Sequence, residues 1–203
     1  MLKTLLIIVA LLVVLAAGAL LVFVYVVQNV EQPEYVLVEQ DGDFEVRDYP
    51  ALTVAMVRRT GERRESLSAG FGPLARYIFA KERDGEKIAM TAPVIQQPEA
   101  GDADTGDWTV GFIMPRAAVQ AGLPEPGSAD VRLTELPPRR VAAVRFSGRT
   151  TDERTDAQRA RLEDWVRARG LRIVSAPVYA YYNDPFTPGP LRRNEILFDV
   201  ATD

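Results

Sequence analysis

The chain of 203 residues contains no cysteine and no histidine. Without cysteine there can be no disulfide, thiolate nucleophile or sulfur-rich metal site, and either a reducing or an oxidising compartment is compatible with the composition. Without histidine the commonest general base, zinc ligand and haem ligand are all missing, which is the stronger restriction. A surplus of positive charge is missing as well. The formal net charge is −4, and beyond the first thirty residues, whose one charged side chain is Lys3, 23 basic side chains face 28 acidic ones. Nucleic-acid binders carry the opposite balance. The sequence also lacks a Ser/His/Asp set and a phosphate-cradling glycine loop. Carboxylates such as Glu45, Asp48 and Glu195 are too scattered along the chain to be paired by inspection. An enzyme made from this chain would depend on carboxylate or tyrosine acid–base chemistry, and a non-enzymatic role is expected.

What the chain does have begins with an apolar run. Leu5 to Val27 is 23 residues without a charge or a proline, long enough at about 1.5 Å per residue to cross a hydrocarbon core of about 30 Å. Ala17-Gly18-Ala19 resembles a signal-cleavage site, but the run continues from Leu20 to Val27, beyond a signal core of roughly 7–15 residues. Residues 1–30 therefore read as an uncleaved transmembrane anchor that reaches the membrane through residues 5–27, and residues 31–203 as a globular domain. Lys3 and the terminal amine vote for a cytoplasmic N-terminus, which puts the domain on the periplasmic or extracellular side of a single-pass protein.

Two landmarks recur in the same order. Val54-Ala55-Met56-Val57-Arg58 returns as Val141-Ala142-Ala143-Val144-Arg145, 87 residues later, and each copy is followed by a glycine, Gly61 and Gly148. Lys87-Ile88-Ala89-Met90-Thr91-Ala92-Pro93-Val94 has a shortened echo in Arg172-Ile173-Val174-Ser175-Ala176-Pro177-Val178, 84 residues on from Pro93 to Pro177. Matched landmarks at nearly equal offsets mark an internal duplication.

Local patterns fill in the plan. After a linker at Glu31-Gln32-Pro33, alternating side chains around Tyr35 to Val38 and Phe44 to Arg47, with Asp41-Gly42 between them, predict a β-hairpin. Leu52 to Arg58 is the next strand, and Glu62 to Ala80 the first helix, with Leu67, Phe71, Leu74 and Ile78 on one face. Gly70, Gly72 and Pro73 predict a kink or break in its middle. Ile88 to Gln97 follows as a strand broken at Pro93, then a polar loop over 98–107, a half-buried strand over Trp108 to Met114, and an irregular loop over 122–130. The second copy comprises strands at Val131 to Leu136 and Val141 to Phe146, and a helix opened by a Thr150/Glu153 capping box and stopped at Gly170. Leu162, Trp165 and Val166 face inward on that helix, with Glu163 and Arg167 as an i,i+4 pair. A strand bent at Pro177 over Leu171 to Tyr182, and a last strand over Glu195 to Val200, complete it. The fold class is α+β: duplicated βαββ units forming a curved antiparallel sheet or open barrel with two helices. A cleft between the halves is the expected ligand site.

At this point the motifs themselves match a family. Glu31-Gln32-Pro33-Glu34-Tyr35, Gly42-Asp43-Phe44-Glu45-Val46-Arg47-Asp48-Tyr49-Pro50, Ile88-Ala89-Met90-Thr91-Ala92-Pro93-Val94, Phe112-Ile113-Met114-Pro115, Phe146-Ser147-Gly148 and Arg192-Arg193-Asn194-Glu195 resemble, in that order, the motifs of the SOUL haem-binding protein family. The resemblance covers Glu31 to Asp203. It implies a fold similar to small-molecule-binding domains of the gyrase-inhibitor type and a role in binding haem or another tetrapyrrole. It further implies a pocket against the first helix, with Phe71, Leu74 and Ala75 as apolar wall and Arg76 as the partner of a propionate. Ser68 stands where the family has an arginine, and Ala75 where it has a methionine.

The residues themselves leave alternatives open. Phe71, Leu74 and Ile78 at helical spacing also describe plain core, and Arg76 a solvated helix residue. Met90 and Met114 offer thioether sulfur, and Tyr77, Tyr179, Tyr181 and Tyr182 phenolate, as axial ligands to iron, while core and sheet packing account for the same side chains. Two functional readings result. One is a membrane-anchored haem- or tetrapyrrole-binding protein that uses an apolar pocket beside the first helix. The other is a non-enzymatic scaffold module that uses the same cleft for another amphipathic ligand or a protein partner.

Overall fold

A computed structural model of the chain describes residues 30–99 and 106–201, together with Leu11, Leu12, Val14, Leu15 and Gly18, which are helical. The rest of the expected membrane-spanning run over 5–27 lies outside the described residues, as does the segment 100–105. Among the described residues no helix is long and apolar enough to cross a membrane. The chain divides into two units, Met1–Val30 and Glu31–Asp203. All nine strands described below and all three core clusters fall in the second unit, which therefore carries its own core.

That unit is built around one open sheet of nine strands whose ladders are all antiparallel. β1 (Val36–Asp41) and β2 (Phe44–Tyr49) form the hairpin, with the turn on Gly42-Asp43, one residue later than expected, and Gly42 at φ 60°. β3 (Leu52–Thr60) leads into α1 (Arg63–Ile78), then β4 (Val94–Pro98) and β5 (Asp107–Ile113). A short helix that the sequence reading missed, α2 (Arg116–Ala121), follows Pro115. β6 (Arg132–Leu136), β7 (Arg139–Phe146), α3 (Asp152–Ala168), β8 (Val178–Tyr181), a 3-10 turn at Gly189–Leu191 and β9 (Asn194–Asp199) complete the chain.

The sheet order is β1-β2-β7-β9-β8-β4-β5-β3-β6. Each half therefore traces strand, helix, strand, strand, and the halves join where β4 pairs with β8 through Val94↔Tyr181, Ile95↔Ala180 and Gln96↔Tyr179. β2 precedes the first half in sequence but pairs with β7 of the second, and β6 precedes the second half but pairs with β3 of the first. The landmark glycines play matching parts. Gly61 and Gly148 have φ of 107° and 102°, conformations that only glycine adopts freely. Their N–H groups donate to the carbonyls of Gly106 and Gly189, ahead of β5 and β9, and their own carbonyls accept from the side chains of Trp108 and Asn194.

α1 packs on β3 and β5, α3 on β7 and β9. Beneath α1 lie Ala55, Val57, Leu74, Tyr77, Ile78, Val110 and Phe112. Beneath α3 lie Val46, Val144, Leu162, Trp165, Val166, Ile196 and Phe198, so the inward face expected for that helix is the one buried. On the helix-free face Val54, Ile95, Ile113, Val141, Ala143, Ala180 and Leu197 form a third cluster. β5 is consequently buried on both faces rather than half-buried, because it runs between β3 and β4 and contributes to clusters on either side.

Several local expectations are corrected. The helix α1 is continuous through Gly70, Gly72 and Pro73. Pro73 cannot donate to the Ala69 carbonyl, and Arg59 Nε supplies that bond instead at 3.3 Å. Gly70 serves close packing: a Cβ there would stand 2.7 Å from the Cβ of Val110. Both prolines of the repeated stretch precede their strands rather than bend them, since β4 begins at Val94 and β8 at Val178; the Ala92-Pro93 bond is cis. Thr151, not Thr150, caps α3, accepting from Arg154 N, so the expected capping box does not form. Glu163 pairs with Arg159, and Arg167 with Asp164. Between the two helices, Arg63 in the first turn of α1 donates to Asp152 Oδ1 and Thr155 Oγ1 of α3 and to the hydroxyl of Tyr181.

The two glycines of α1 should respond oppositely to substitution. Gly70→Ala forces the helix off Val110 and is expected to destabilise by about 1–3 kcal/mol. Gly72→Ala meets nothing nearer than Arg76 Nη1 at 3.5 Å and should stabilise by up to roughly 1 kcal/mol through helix propensity. Urea unfolding of residues 31–203 measures both.

Candidate ligand-binding site

The side chains of α1 divide by register. Leu74 is fully buried under the helix, so it belongs to the core rather than to a surface wall. Leu67, Phe71, Ala75 and Phe79 follow at four-residue spacing along the adjoining flank, a stripe that leaves the core at Leu67 and turns toward solvent. Phe71 is 43% exposed and Phe79 42%, with Leu67 and Ala75 half-buried beside them. The Phe71 ring stands edge-on to Phe112, centroids 5.2 Å apart. Its orientation is therefore fixed by the core while much of its surface faces solvent.

Arg76 lies on the same outer side. Its Nε donates to Glu82 Oε1 at 2.5 Å, both side chains being well exposed, and its guanidinium folds back toward Gly72. An exposed pair of this kind is worth little, so a stronger anion could take the guanidinium from Glu82. Arg64 and Lys81 are also exposed along this helix and its exit. Of the four residues assigned by resemblance, Phe71, Ala75 and Arg76 thus share the solvent side of α1, and Leu74 does not. Phe79, at the helix C-cap, completes the stripe. Its four-residue spacing from Ala75 was visible in the sequence, but it fell outside the face built on Leu74 and Ile78.

The resemblance implies a tetrapyrrole beside these residues. An apolar stripe beside cations suits a flat amphipathic ring with carboxylates at its edge. Axial ligation is another matter. The Tyr77 hydroxyl donates to the Pro124 carbonyl, and burial raises its pKa. Burial also raises Tyr179, pushes Tyr181 up to about 12, and, with the charge of Glu195, lifts Tyr182 well above the ordinary range. All four are held as neutral phenols. Met114 is buried in the cluster under α1, and Met90 packs partly buried against it.

The helix-free face carries a second polar centre. Arg47, 1% exposed, donates to Glu195 Oε2 and Oε1 at 2.6 and 3.1 Å, to Glu45 at 2.6 Å and to the Tyr49 hydroxyl at 3.2 Å. Glu195 also accepts from Arg193 and from the Tyr182 hydroxyl. Ion pairing is thus the role of the Arg192-Arg193-Asn194-Glu195 stretch at Arg193 and Glu195. Burial alone would raise the Glu195 carboxyl; hydrogen bonds and charge from Arg47 and Arg193 overcome it and leave it lowered. The segment read as a linker is instead fixed across this face. The Glu31 carbonyl accepts from Ala92 N and its carboxylate from Arg116 N, while Gln32 accepts from Arg193. The ring of Tyr35 lies 4.5 Å from the Arg47 guanidinium. These side chains fill the seam where a cleft was expected. Two grooves among the described residues, of about 270 and 480 Å³, lie around Arg58, Arg59 and Glu99, and no residue of α1 lines them.

Comparison with known proteins places this geometry in context. The family model described as SOUL heme-binding protein matches residues 30–199. "Heme-binding protein 2" of Homo sapiens is 29% identical over 167 residues, covering 78% of this chain and 80% of the relative. "Heme-binding protein 2" of Mus musculus is 27% identical over 168 residues, covering 78% and 81%. Among solved structures, the C-terminal domain of EcmrR superposes with a TM-score of 0.59 at 16% identity, covering 79% of this chain and 98% of that one. A hydrolase from Listeria innocua gives 0.54 at 13% identity, covering 81% and 94%. At such identities these two likenesses concern the fold alone.

Glu195→Gln should leave Arg47 with Glu45 as its one carboxylate partner and cost about 1–3 kcal/mol at neutral pH. Because the folded carboxyl is lowered, its contribution is complete above its ordinary value of 4.5 and is lost as pH falls below that toward the folded value. Stability of the parent unit should therefore drop more steeply below that pH than stability of the variant. Urea midpoints across an acid pH series measure the difference.

Proposed function

The chain belongs to the SOUL haem-binding protein family, and from that premise we propose that it is a membrane-anchored haem- or tetrapyrrole-binding protein and not an enzyme. The ligand is held beside α1 by stacking on Phe71, Phe79 and Ala75, with Arg76 turned from Glu82 to a propionate. The observation that carries this reading is the exposed apolar stripe set among cations on that helix. A bound porphyrin would cover phenyl surface that folding leaves in water. Iron, when present, supplies colour and redox chemistry; the residues described here contribute apolar contact and charge. Since the phenol carried by α1, that of Tyr77, donates to the Pro124 carbonyl, metal-free porphyrin should bind about as well as haem. The competing reading, a scaffold module for some other amphipathic ligand, uses the same stripe.

The duplicated βαββ plan, the anchor through residues 5–27 and a periplasmic or extracellular domain complete the proposal. An anchor of that length resists extraction by alkaline carbonate, whereas release of the full chain into the supernatant would remove it from the reading.

Haem titrated into residues 31–203 should give a saturable Soret change. Phe71→Ala should weaken it about fivefold, the equivalent of roughly 1 kcal/mol from covering the exposed part of one phenyl ring, and Arg76→Ala should weaken it for porphyrins with free propionates but not for their esters. Absence of a spectral change at micromolar haem would overturn the tetrapyrrole reading and favour the scaffold one.

A further inference from the structure

The loop between β8 and β9 combines rigidity with apolar exposure. Asp184 Oδ1 accepts from the backbone N–H groups of Phe186 and Thr187 at 2.7 and 3.1 Å, and Oδ2 from the Thr187 hydroxyl at 2.7 Å. Arg192 closes the loop from its far end, donating to the carbonyls of Thr187 and Pro185. Pro185, Pro188 and Pro190 restrict the backbone between them. A loop tied at both ends would be expected to turn its large apolar groups inward. Instead Phe186 is 88% exposed and Leu191 67%.

Two exposed arginines stand beside this loop, with Asp152, Glu153 and Asp184 near them. Gly189 accepts from Gly148 N, which brings Arg149 against the loop, and Arg154 packs its guanidinium over Gly148. Among the described residues neither these two arginines nor Arg192 is ion-paired with a carboxylate; Asp152 nearby is taken by Arg63, and Asp184 is consumed by the turn.

We propose that this loop is a docking tip for an anionic lipid surface: Phe186 and Leu191 enter the boundary between headgroups and acyl chains, while Arg149 and Arg154 meet headgroup phosphates. Charge favours this occupant, since Arg149 and Arg154, exposed and without a carboxylate partner among the described residues, flank the apolar side chains and complement a negatively charged interface. Shape favours it over a protein. Protein hot spots sit in the well-packed centre of a broad patch, whereas Phe186 projects from a narrow turn and would need a pocket made for it. The inference is independent of residues 1–30 and of the tetrapyrrole site on α1.

The test is co-sedimentation of residues 31–203 with vesicles of phosphatidylcholine alone or mixed with phosphatidylglycerol. Binding should require phosphatidylglycerol, weaken with added salt, and fall about tenfold in a Phe186→Ser/Leu191→Ser variant and severalfold in Arg149→Gln. Thermal unfolding should not change, because these side chains are exposed. Failure to bind mixed vesicles would overturn the proposal, and so would binding that the double variant retains. Self-association in sedimentation velocity that requires Phe186, without lipid binding, would assign the tip to a second copy of the chain and likewise overturn it.

Discussion

The unit depends on a short seam. β4 and β8 pair through only three residues on each side, fewer than an ordinary strand ladder offers, yet this is where the two halves of a nine-stranded sheet are joined. Polar locks sit on both faces of the join. On the helix side, Gln96 of β4 donates to Arg63 O and Ser66 Oγ and accepts from Tyr181, while Arg63 reaches across to α3. On the other side Glu195, opposite Ala180 of β8, gathers Arg47, Arg193 and Tyr182. The swapped strands β2 and β6 add a second tie, since each half includes a strand that the sequence assigns to the other. Buried ion pairs contribute little net stability compared with apolar packing. Their directionality does fix which edges meet, and in a fold with two similar halves that choice of register is what needs fixing.

Much of this was legible in the sequence because it is periodic. The recurrence of Val54 to Arg58 at Val141 to Arg145 marks β3 and β7, and Gly61 and Gly148 prove to have nearly equal φ values and matching hydrogen bonds. The inward residues of α3 follow from spacing alone. The break expected in α1 was misread for a physical reason. Propensity counts the backbone bond that Pro73 forfeits but cannot see Arg59 supplying it from another strand, nor Val110 standing where a side chain at position 70 would go. Tertiary context overrode local preference there. The Arg47–Glu195 pair was beyond reach for a related reason: 148 residues separate the partners, and no local pattern encodes a contact between β2 and β9.

The candidate site was only half legible. Helical spacing pointed to Phe71, Leu74 and Ile78 as one face, and burial shows that this combination straddles two. Leu74 and Ile78 belong to the core, while Phe71 continues instead to Ala75 and Phe79 on the outside. A stripe at four-residue spacing drifts around the helix relative to one that mixes threes and fours. Both stripes exist on α1, and sequence alone does not say which one the sheet takes. The close approach at Gly70 decides it, because it presses the Leu74 side of the helix against β5 and leaves the other stripe in water.

The filling of the seam then constrains where any ligand can go. In a sheet with two similar halves, the groove between them is the obvious receptor, but here Tyr35, Tyr49, Tyr182 and the arginine–glutamate cluster occupy the helix-free side, and Arg63, Gln96 and Tyr181 the other. Opening either would strip partners from buried charges, whose desolvation is costly. Apolar surface that folding leaves uncovered is found instead at the periphery, on α1, on the loop before β9 and along the edge strand β1. Exposed pairs such as Arg76–Glu82 can be exchanged there at little cost. The interactions that hold the halves in register thus also fill the centre, and a ligand held on α1, as proposed, would use surface the core does not need.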